Sequence, residues 1–292
     1  MHEYTHIKYE ENRVFIDVAQ SGCGFGCKYC YTPGKLQPQQ FLIKELFLES
    51  LYSVVNDKRY KEGMFGTVIT LSPNTEPLKD EQSQDFVNEV LKLFLPKGNH
   101  IQIATKGLIN SKLLSTIAKN AQHEDQIILY ISLPTISHQA KNEPYARPLS
   151  ERLQNFKLTR ELNIKNCLYI KPFLARTGKD IDKFKSLIGE INPDFICSGV
   201  RVSEKDNFTV LYKDHNKYRS VVFDNNNKGM LTFTKQLSTI TNRLVFNCSS
   251  CITAYIRKCK PFPAIFSTHP GLCIKCHKYC FDQEGETYAE TN

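Results

Sequence analysis

Apolar residues along the chain alternate between two rhythms. Short β-rich runs at 13–20 (RVFIDVAQ), 67–72 (TVITLS), 100–105 (HIQIAT), 126–133 (QIILYISL), 166–174 (NCLYIKPFL) and 194–203 (DFICSGVRVS) predict strands. Between them, apolar residues recur at helical spacing. Leu42, Leu46, Phe47, Leu51 and Val54 mark one face of a helix over 41–57. Phe86, Val90, Leu93 and Phe94 mark another over 81–95. Helices are also predicted over 109–120, over 149–163 with Ser150 as its cap, and near 180–190 opening at Asp180. Such alternation belongs to parallel α/β architecture. Six units in about 190 residues predict an α/β fold, a partial (β/α)6 TIM-type barrel whose chemistry sits at the C-terminal strand ends. An open doubly wound sheet would give much the same pattern.

After residue 203 the rhythm breaks. A polar, Asn- and Lys-rich stretch carries one or two short strands, and a helix is predicted near 229–240. The chain then ends in a cysteine-rich tail. Residues 1–203 are therefore expected to form the barrel, 204–247 a linker with an accessory strand and helix, and 248–292 a metal-binding extension.

Composition adds little until the cysteines are counted. At 292 residues, 41% hydrophobic and 23% charged, the chain reads as an ordinary globular protein. No apolar run reaches the ~20 residues that span a membrane, and the first residues, MHEYTHIKYEENR, have no apolar signal core. A cytoplasmic protein with no membrane partner is expected. The net charge of +8 suits a phosphate-rich partner or a lysine-rich solvated surface equally well. Eleven cysteines without an export signal read as metal ligands or reactive thiols. Three lie at 23–30 and six at 248–280, with Cys167 and Cys197 apart, so two metal centres are expected.

The first group, SGCGFGCKYCYTPG, spaces Cys23, Cys27 and Cys30 as C-x3-C-x2-C. Three is an odd number for disulfides, and no fourth Cys or His lies nearby for zinc. A [4Fe–4S] cluster on three thiolates fits better, because it leaves one iron open to a small molecule. Gly22, Gly24 and Gly26 let the loop wrap a bulky cluster and offer backbone N–H groups to its sulfurs.

With Tyr29 before the third cysteine, this loop resembles the radical S-adenosylmethionine (radical SAM) superfamily. That resemblance implies an open iron chelating the amino and carboxylate groups of S-adenosylmethionine (AdoMet). The turn SPNTEPL (72–78) stands where the family carries a Gly-Gly-Glu-Pro-like turn for the ammonium; Asn74, Thr75, Glu76 and Pro77 occupy it, with both glycines replaced. Lys106 in ATKG and Ser132 in YISL match positions that serve the AdoMet carboxylate in the spore photoproduct lyase-like branch. EPYARPLSERL (143–153) is similar to that branch's segment after strand four, which implies that Arg152 faces the active site. The turn after strand two lacks the branch's Asp-Pro and aromatic, so no particular substrate transfers. A radical SAM enzyme cleaves AdoMet reductively to a 5′-deoxyadenosyl radical that takes hydrogen from its substrate, and needs a reductant such as flavodoxin or ferredoxin. Cys197, late in the last predicted strand, is the candidate hydrogen donor.

The tail runs C-x2-C-x7-C-x13-C-x2-C-x3-C through Cys248, Cys251, Cys259, Cys273, Cys276 and Cys280. Two C-x2-C pairs resemble zinc-ribbon knuckles, and the same pairs serve an auxiliary iron–sulfur cluster; the iron–sulfur reading is preferred, with zinc the alternative. Residues 248–280 hold Arg257, Lys258, Lys260, Lys275 and Lys278 and no acid. These cations either contact phosphate or offset thiolate charge. The expected substrate is nucleic acid or a peptide. The rival reading is a non-catalytic iron–sulfur or zinc protein that senses or binds nucleic acid.

Overall fold

The computed structural model describes residues 7–10, 12–18, 23–30, 44–73, 75–199, 209–214, 217–221 and 225–258. The chain divides into two compact units, Met1–Ser132 with Ala140–Asn166, and Leu133–Gln139 with Cys167–Asn292.

In the first unit, β1 (Ile7–Glu10) pairs antiparallel with β2 (Arg13–Ile16). α1 (Lys44–Asn56) then leads to β3 (Val68–Leu71), α2 (Glu81–Phe94) to β4 (Ile101–Thr105), and α3 (Ser111–Asn120) to β5 (Ile127–Ser132). β2, β3, β4 and β5 lie side by side and parallel. Their residues are buried almost throughout, as in a parallel sheet covered on both faces. A short α4 (Gln139–Asn142) precedes α5 (Leu149–Glu161).

The helices follow their apolar stripes with two adjustments. In α1 the buried face is Phe47, Leu51 and Val54, while Leu46 is exposed and Leu42 lies outside the described residues. In α2, Val87 and Leu91 join Phe86, Val90 and Phe94, and Leu93 sits at the margin. Asp80 caps α2 by accepting the Ser83 N–H at 2.7 Å, and Asn110 caps α3 by accepting that of Leu113 at 2.9 Å. Ser150 does not cap α5: Pro148 holds the cap position with no side-chain bond, and Ser150 lies within the first turn. Proline fits there because it has no N–H to satisfy.

In the second unit, β6 (Lys165–Ile170) pairs parallel with β7 (Phe195–Ser198). Between them a 3₁₀ turn (Ala175–Asp180) runs into α6 (Ile181–Ile191), so the helix opens at Asp180 as predicted. The linker forms a hairpin of β8 (Thr209–Asp214) and β9 (Lys217–Val221), then α7 (Asn225–Ile240). β10 (Leu244–Phe246), not predicted, pairs parallel with β7 and is followed by α8 (Ser249–Arg257). Phe184 and Phe173 pack on Phe233 of α7, with ring centroids 5.6 and 5.4 Å away. The fold is α/β, with parallel strand pairing in each unit, and all six predicted strands are present as β2 to β7. Among the described residues no helix is long and apolar enough to cross a membrane.

Candidate functional site

The cysteine loop leaves β2 and lies in the first unit. Phe25 is buried and anchors it, while Gly24 (φ +70°) and Gly26 (φ +58°) turn the chain through the left-handed region that side chains disfavour. A Cβ on Gly26 would stand 2.9 Å from the Tyr145 ring, so the loop packs closely on the segment before α5. Two backbone bonds secure that contact: Lys28 N–H donates to Asn142 O at 2.9 Å, and Tyr145 N–H to Phe25 O at 3.4 Å.

Cys23, Cys27 and Cys30 are all half-buried. Burial pushes the Cys23 thiol up to about 11, against the pull of the Phe25 N–H. Burial also raises Cys27, with Lys106 pulling the other way. Among the described residues no three Cys, His, Asp or Glu side chains are gathered around a single ion. A [4Fe–4S] cluster does not require that, since each thiolate takes a different iron.

Glu76 follows β3 and is buried. Its Oε1 accepts from the Leu78 N–H at 3.1 Å and the Thr105 hydroxyl, and its Oε2 from the Lys106 N–H at 2.7 Å. Burial raises its carboxyl, and these donors oppose the rise. Gly107 makes the approach possible, because a Cβ there would meet Leu78 O at 2.4 Å. Thr75 donates its hydroxyl to Asp17 Oδ1 at 2.5 Å, and Asn74 lies outside the described residues.

Lys106, at the end of β4, holds Nζ 5.8 Å from the Tyr29 ring centroid and 4.0 Å from Glu143 Oε1. Burial pulls its ammonium down, but Glu143, Cys27 and Glu76 together hold it above its ordinary value. The Tyr29 hydroxyl donates to Glu143 Oε1; burial and that carboxylate push its phenol far up. Arg152, in the first turn of α5, is wholly buried rather than solvated. Its Nη1 donates to Glu143 Oε2 at 2.7 Å and to Ser132 O at 2.9 Å, and its Nε to Arg147 O at 2.7 Å. Arg152 Nη2 and Ser132 Oγ are buried with no hydrogen-bond partner.

The structure thus brings Tyr29, Glu76, Lys106, Ser132 and Arg152 together in one unit with the three cysteines. Sequence reasoning missed Glu143, although the EPYARPLSERL segment contains it, and missed Thr105 and Asp17, which carry no motif.

Other predicted residues fall in the second unit. Cys197 is wholly buried in β7, opposite Tyr169 in the strand register. Cys248 caps α8 and Cys251 is buried in its first turn, with Cys251 N–H donating to Cys248 O at 3.1 Å. The Cys251 thiol's hydrogen bond lowers the Cys248 thiol well below its ordinary value; burial opposes this and nearby Lys171 reinforces it. Cys259, Cys273, Cys276 and Cys280 lie outside the described residues. Arg257 is buried, so it is not part of an exposed cationic face, whereas Lys258 is exposed.

The family model described as Radical SAM superfamily matches residues 18–188, more than half of the chain. No curated protein matches the chain significantly. Among solved structures, spore photoproduct lyase complexed with dinucleoside spore photoproduct is similar at TM-score 0.57 and 11% identity, covering 79% of this chain and 75% of that one. A variant of that lyase with bound AdoMet and dinucleoside spore photoproduct is similar at TM-score 0.59 and 11% identity, covering 83% and 79%. Streptococcus suis SuiB bound to precursor peptide SuiA is similar at TM-score 0.56 and 14% identity, covering 91% of this chain and 53% of that one. At these identities the likeness is one of fold.

Proposed function

The chain belongs to the radical SAM superfamily and is an AdoMet-dependent enzyme, and we propose that Cys23, Cys27 and Cys30 hold its cluster while Glu76, Lys106, Ser132 and Arg152 hold AdoMet. The family implies a [4Fe–4S] cluster, AdoMet and a source of single electrons. When bound, the pair supplies one-electron cleavage of the sulfonium and a 5′-deoxyadenosyl radical that takes a hydrogen atom.

One observation carries the assignment of the AdoMet residues. Arg152 Nη2 and Ser132 Oγ are buried polar groups without a partner, which proteins rarely tolerate unless something else fills the place. Lys106 stands with them, too far from Glu143 at 4.0 Å to be spent on a hydrogen bond. Three donors, two of them cationic, suit a carboxylate. Charge balance agrees: Lys106 and Arg152 oppose Glu76 and Glu143, so an amino-acid zwitterion enters without adding net buried charge. Glu76 keeps acceptor capacity on Oε2 for an ammonium; Thr75 precedes it directly, and Asn74 joins the proposed set from the sequence alone. Tyr29, next to the third cysteine, turns its ring toward Lys106 and its hydroxyl to Glu143.

The substrate class is inferred as nucleic acid. Support comes from the +8 net charge and from a tail without acids between residues 248 and 280. The peptide reading is the second, because a cysteine-rich tail suits an auxiliary iron–sulfur centre. That centre would use Cys248 and Cys251, which α8 already places one turn apart, with Cys259, Cys273, Cys276 and Cys280 supplying the rest. Zinc on the same pairs is the alternative. Cys197 is the proposed hydrogen donor, and flavodoxin or ferredoxin the proposed reductant. Eleven cysteines, grouped as metal ligands rather than as disulfide pairs, support a cytoplasmic setting.

Anaerobic reconstitution tests the reading. About four irons and four sulfides at the first site, and 5′-deoxyadenosine on reduction with dithionite, are expected. Both should disappear in Cys27→Ala. Deoxyadenosine formation that persists in Cys27→Ala, or its absence from fully reconstituted wild-type chain, would overturn it. Salt-sensitive binding of a single-stranded oligonucleotide, lost on truncation at residue 247, supports the nucleic-acid class, and salt-insensitive or absent binding refutes it.

A further inference from the structure

We propose that Glu143 is the positioning residue of this site, fixing Tyr29, Lys106 and Arg152 relative to the cysteine loop; the inference rests on the AdoMet reading above. Glu143 is wholly buried, and a buried carboxylate persists only where partners compensate for lost water. Its partners come from three separate elements: Tyr29 from the cysteine loop, Lys106 from the end of β4, and Arg152 from α5.

The division of its two oxygens matters. Oε2 and two main-chain carbonyls engage Nη1 and Nε of Arg152, leaving Nη2 without a protein partner. Oε1 takes the Tyr29 hydroxyl and lies 4.0 Å from Lys106 Nζ, close enough to hold the ammonium electrostatically without consuming its hydrogens. The Tyr29 ring centroid lies 5.8 Å from the same ammonium, within cation–π range. Glu143 itself is tied to the loop by the backbone bonds of its neighbours, Lys28 to Asn142 and Tyr145 to Phe25. One carboxylate therefore registers the AdoMet-carboxylate donors against the thiols. Groups that orient a ligating or binding residue in this way are worth about 10- to 100-fold in affinity.

The test uses the reconstituted chain and reads AdoMet affinity by anaerobic equilibrium dialysis, with iron content and thermal midpoint measured on each sample. Glu143→Gln keeps the shape and removes the charge. It should retain its iron yet bind AdoMet about tenfold more weakly. Tyr29→Phe should weaken binding by a smaller factor, and the double variant should bind no worse than Glu143→Gln alone, because the hydroxyl acts through the carboxylate. A purely structural role would lower the thermal midpoint and leave the affinity of the folded, iron-loaded chain unchanged, which overturns the inference. If Glu143→Gln does not fold, Tyr29→Phe decides, and wild-type affinity in that variant overturns it. Failure of the AdoMet reading looks different: the wild-type chain then binds no AdoMet, or Lys106→Ala binds it as tightly as wild type.

Discussion

Arg152→Met tests the energetic core of the site. The guanidinium is wholly buried, paired to Glu143 at 2.7 Å and bonded to the carbonyls of Ser132 and Arg147 at 2.9 and 2.7 Å. Methionine roughly fills the stem but strands the Glu143 carboxylate. Breaking a buried pair from one side costs about 3–5 kcal/mol, and each deserted carbonyl adds about 1 kcal/mol or more. Lys106, 4.0 Å from the same carboxylate, offsets part of this, so the net loss should be at least ~3 kcal/mol. That is a large share of a domain's ~5–15 kcal/mol. Urea unfolding of the cluster-free chain, followed by circular dichroism under nitrogen, measures it. Arg152→Met/Glu143→Leu should then recover at least ~1 kcal/mol over Arg152→Met, because the stranded charge is gone and Glu76 still faces Lys106. A loss under ~1 kcal/mol in the single variant, or a double that merely sums the two singles, refutes the buried-pair account.

Gly107→Ala would press a methyl to 2.4 Å from Leu78 O; a loss of roughly 1–3 kcal/mol is expected, with weaker AdoMet binding because Thr105 and Lys106 N–H must shift from Glu76. Calorimetry and dialysis of the variant check both. Asp180 accepts from Thr135 and Ser137 hydroxyls at 2.8 and 2.5 Å and from two backbone N–H groups. Burial raises its carboxyl, but these donors hold it below its ordinary value. Its stabilisation is thus full above the unfolded pKa of about 4 and is lost as pH falls through the lower folded value. Asp180→Asn should be less stable at pH 7, and the gap to wild type should narrow on acidification in thermal melts; a gap constant with pH counts against the assignment. In the tail, Cys248→Ser/Cys251→Ser should lower the metal content beyond the first cluster without changing AdoMet affinity. Elemental analysis gives the answer, and unchanged metal would remove this pair from the second centre.

Most of the parallel sheet was legible because its strands alternate with helices whose apolar stripes repeat at 3.6 residues. β1 and β10 were not. IKYE and LVF are only four and three residues long, and each acquires its strand character by pairing with a neighbour, which periodicity cannot reveal. In the candidate site, the cysteines, Glu76, Lys106, Ser132 and Arg152 could be singled out from the sequence because each stands in a recognisable local string. Glu143 was overlooked because its partnership with Arg152 spans nine residues across a loop and a helix start, a spacing with no regular period. Arg152 also illustrates how misleading a helical position can be. An arginine in a first turn usually faces water, yet here three acceptors line its burial.

The turn after β3 follows the same logic, because it is pinned by side chains that no local string announces. Ser72 adopts φ 44°, a conformation glycine would take without strain, and its hydroxyl accepts the Val18 N–H at 3.1 Å. Its own N–H donates to Ile16 O at 2.8 Å, so the turn is fastened to the end of β2 by backbone as well. Asp17 then gathers the Thr75 hydroxyl at 2.5 Å and that of Ser72 at 3.4 Å. The strained residue is over-determined by contacts with the very strand that launches the cysteine loop. These pins hold the turn that leads to Glu76, whose Oε2 accepts the Lys106 N–H at 2.7 Å.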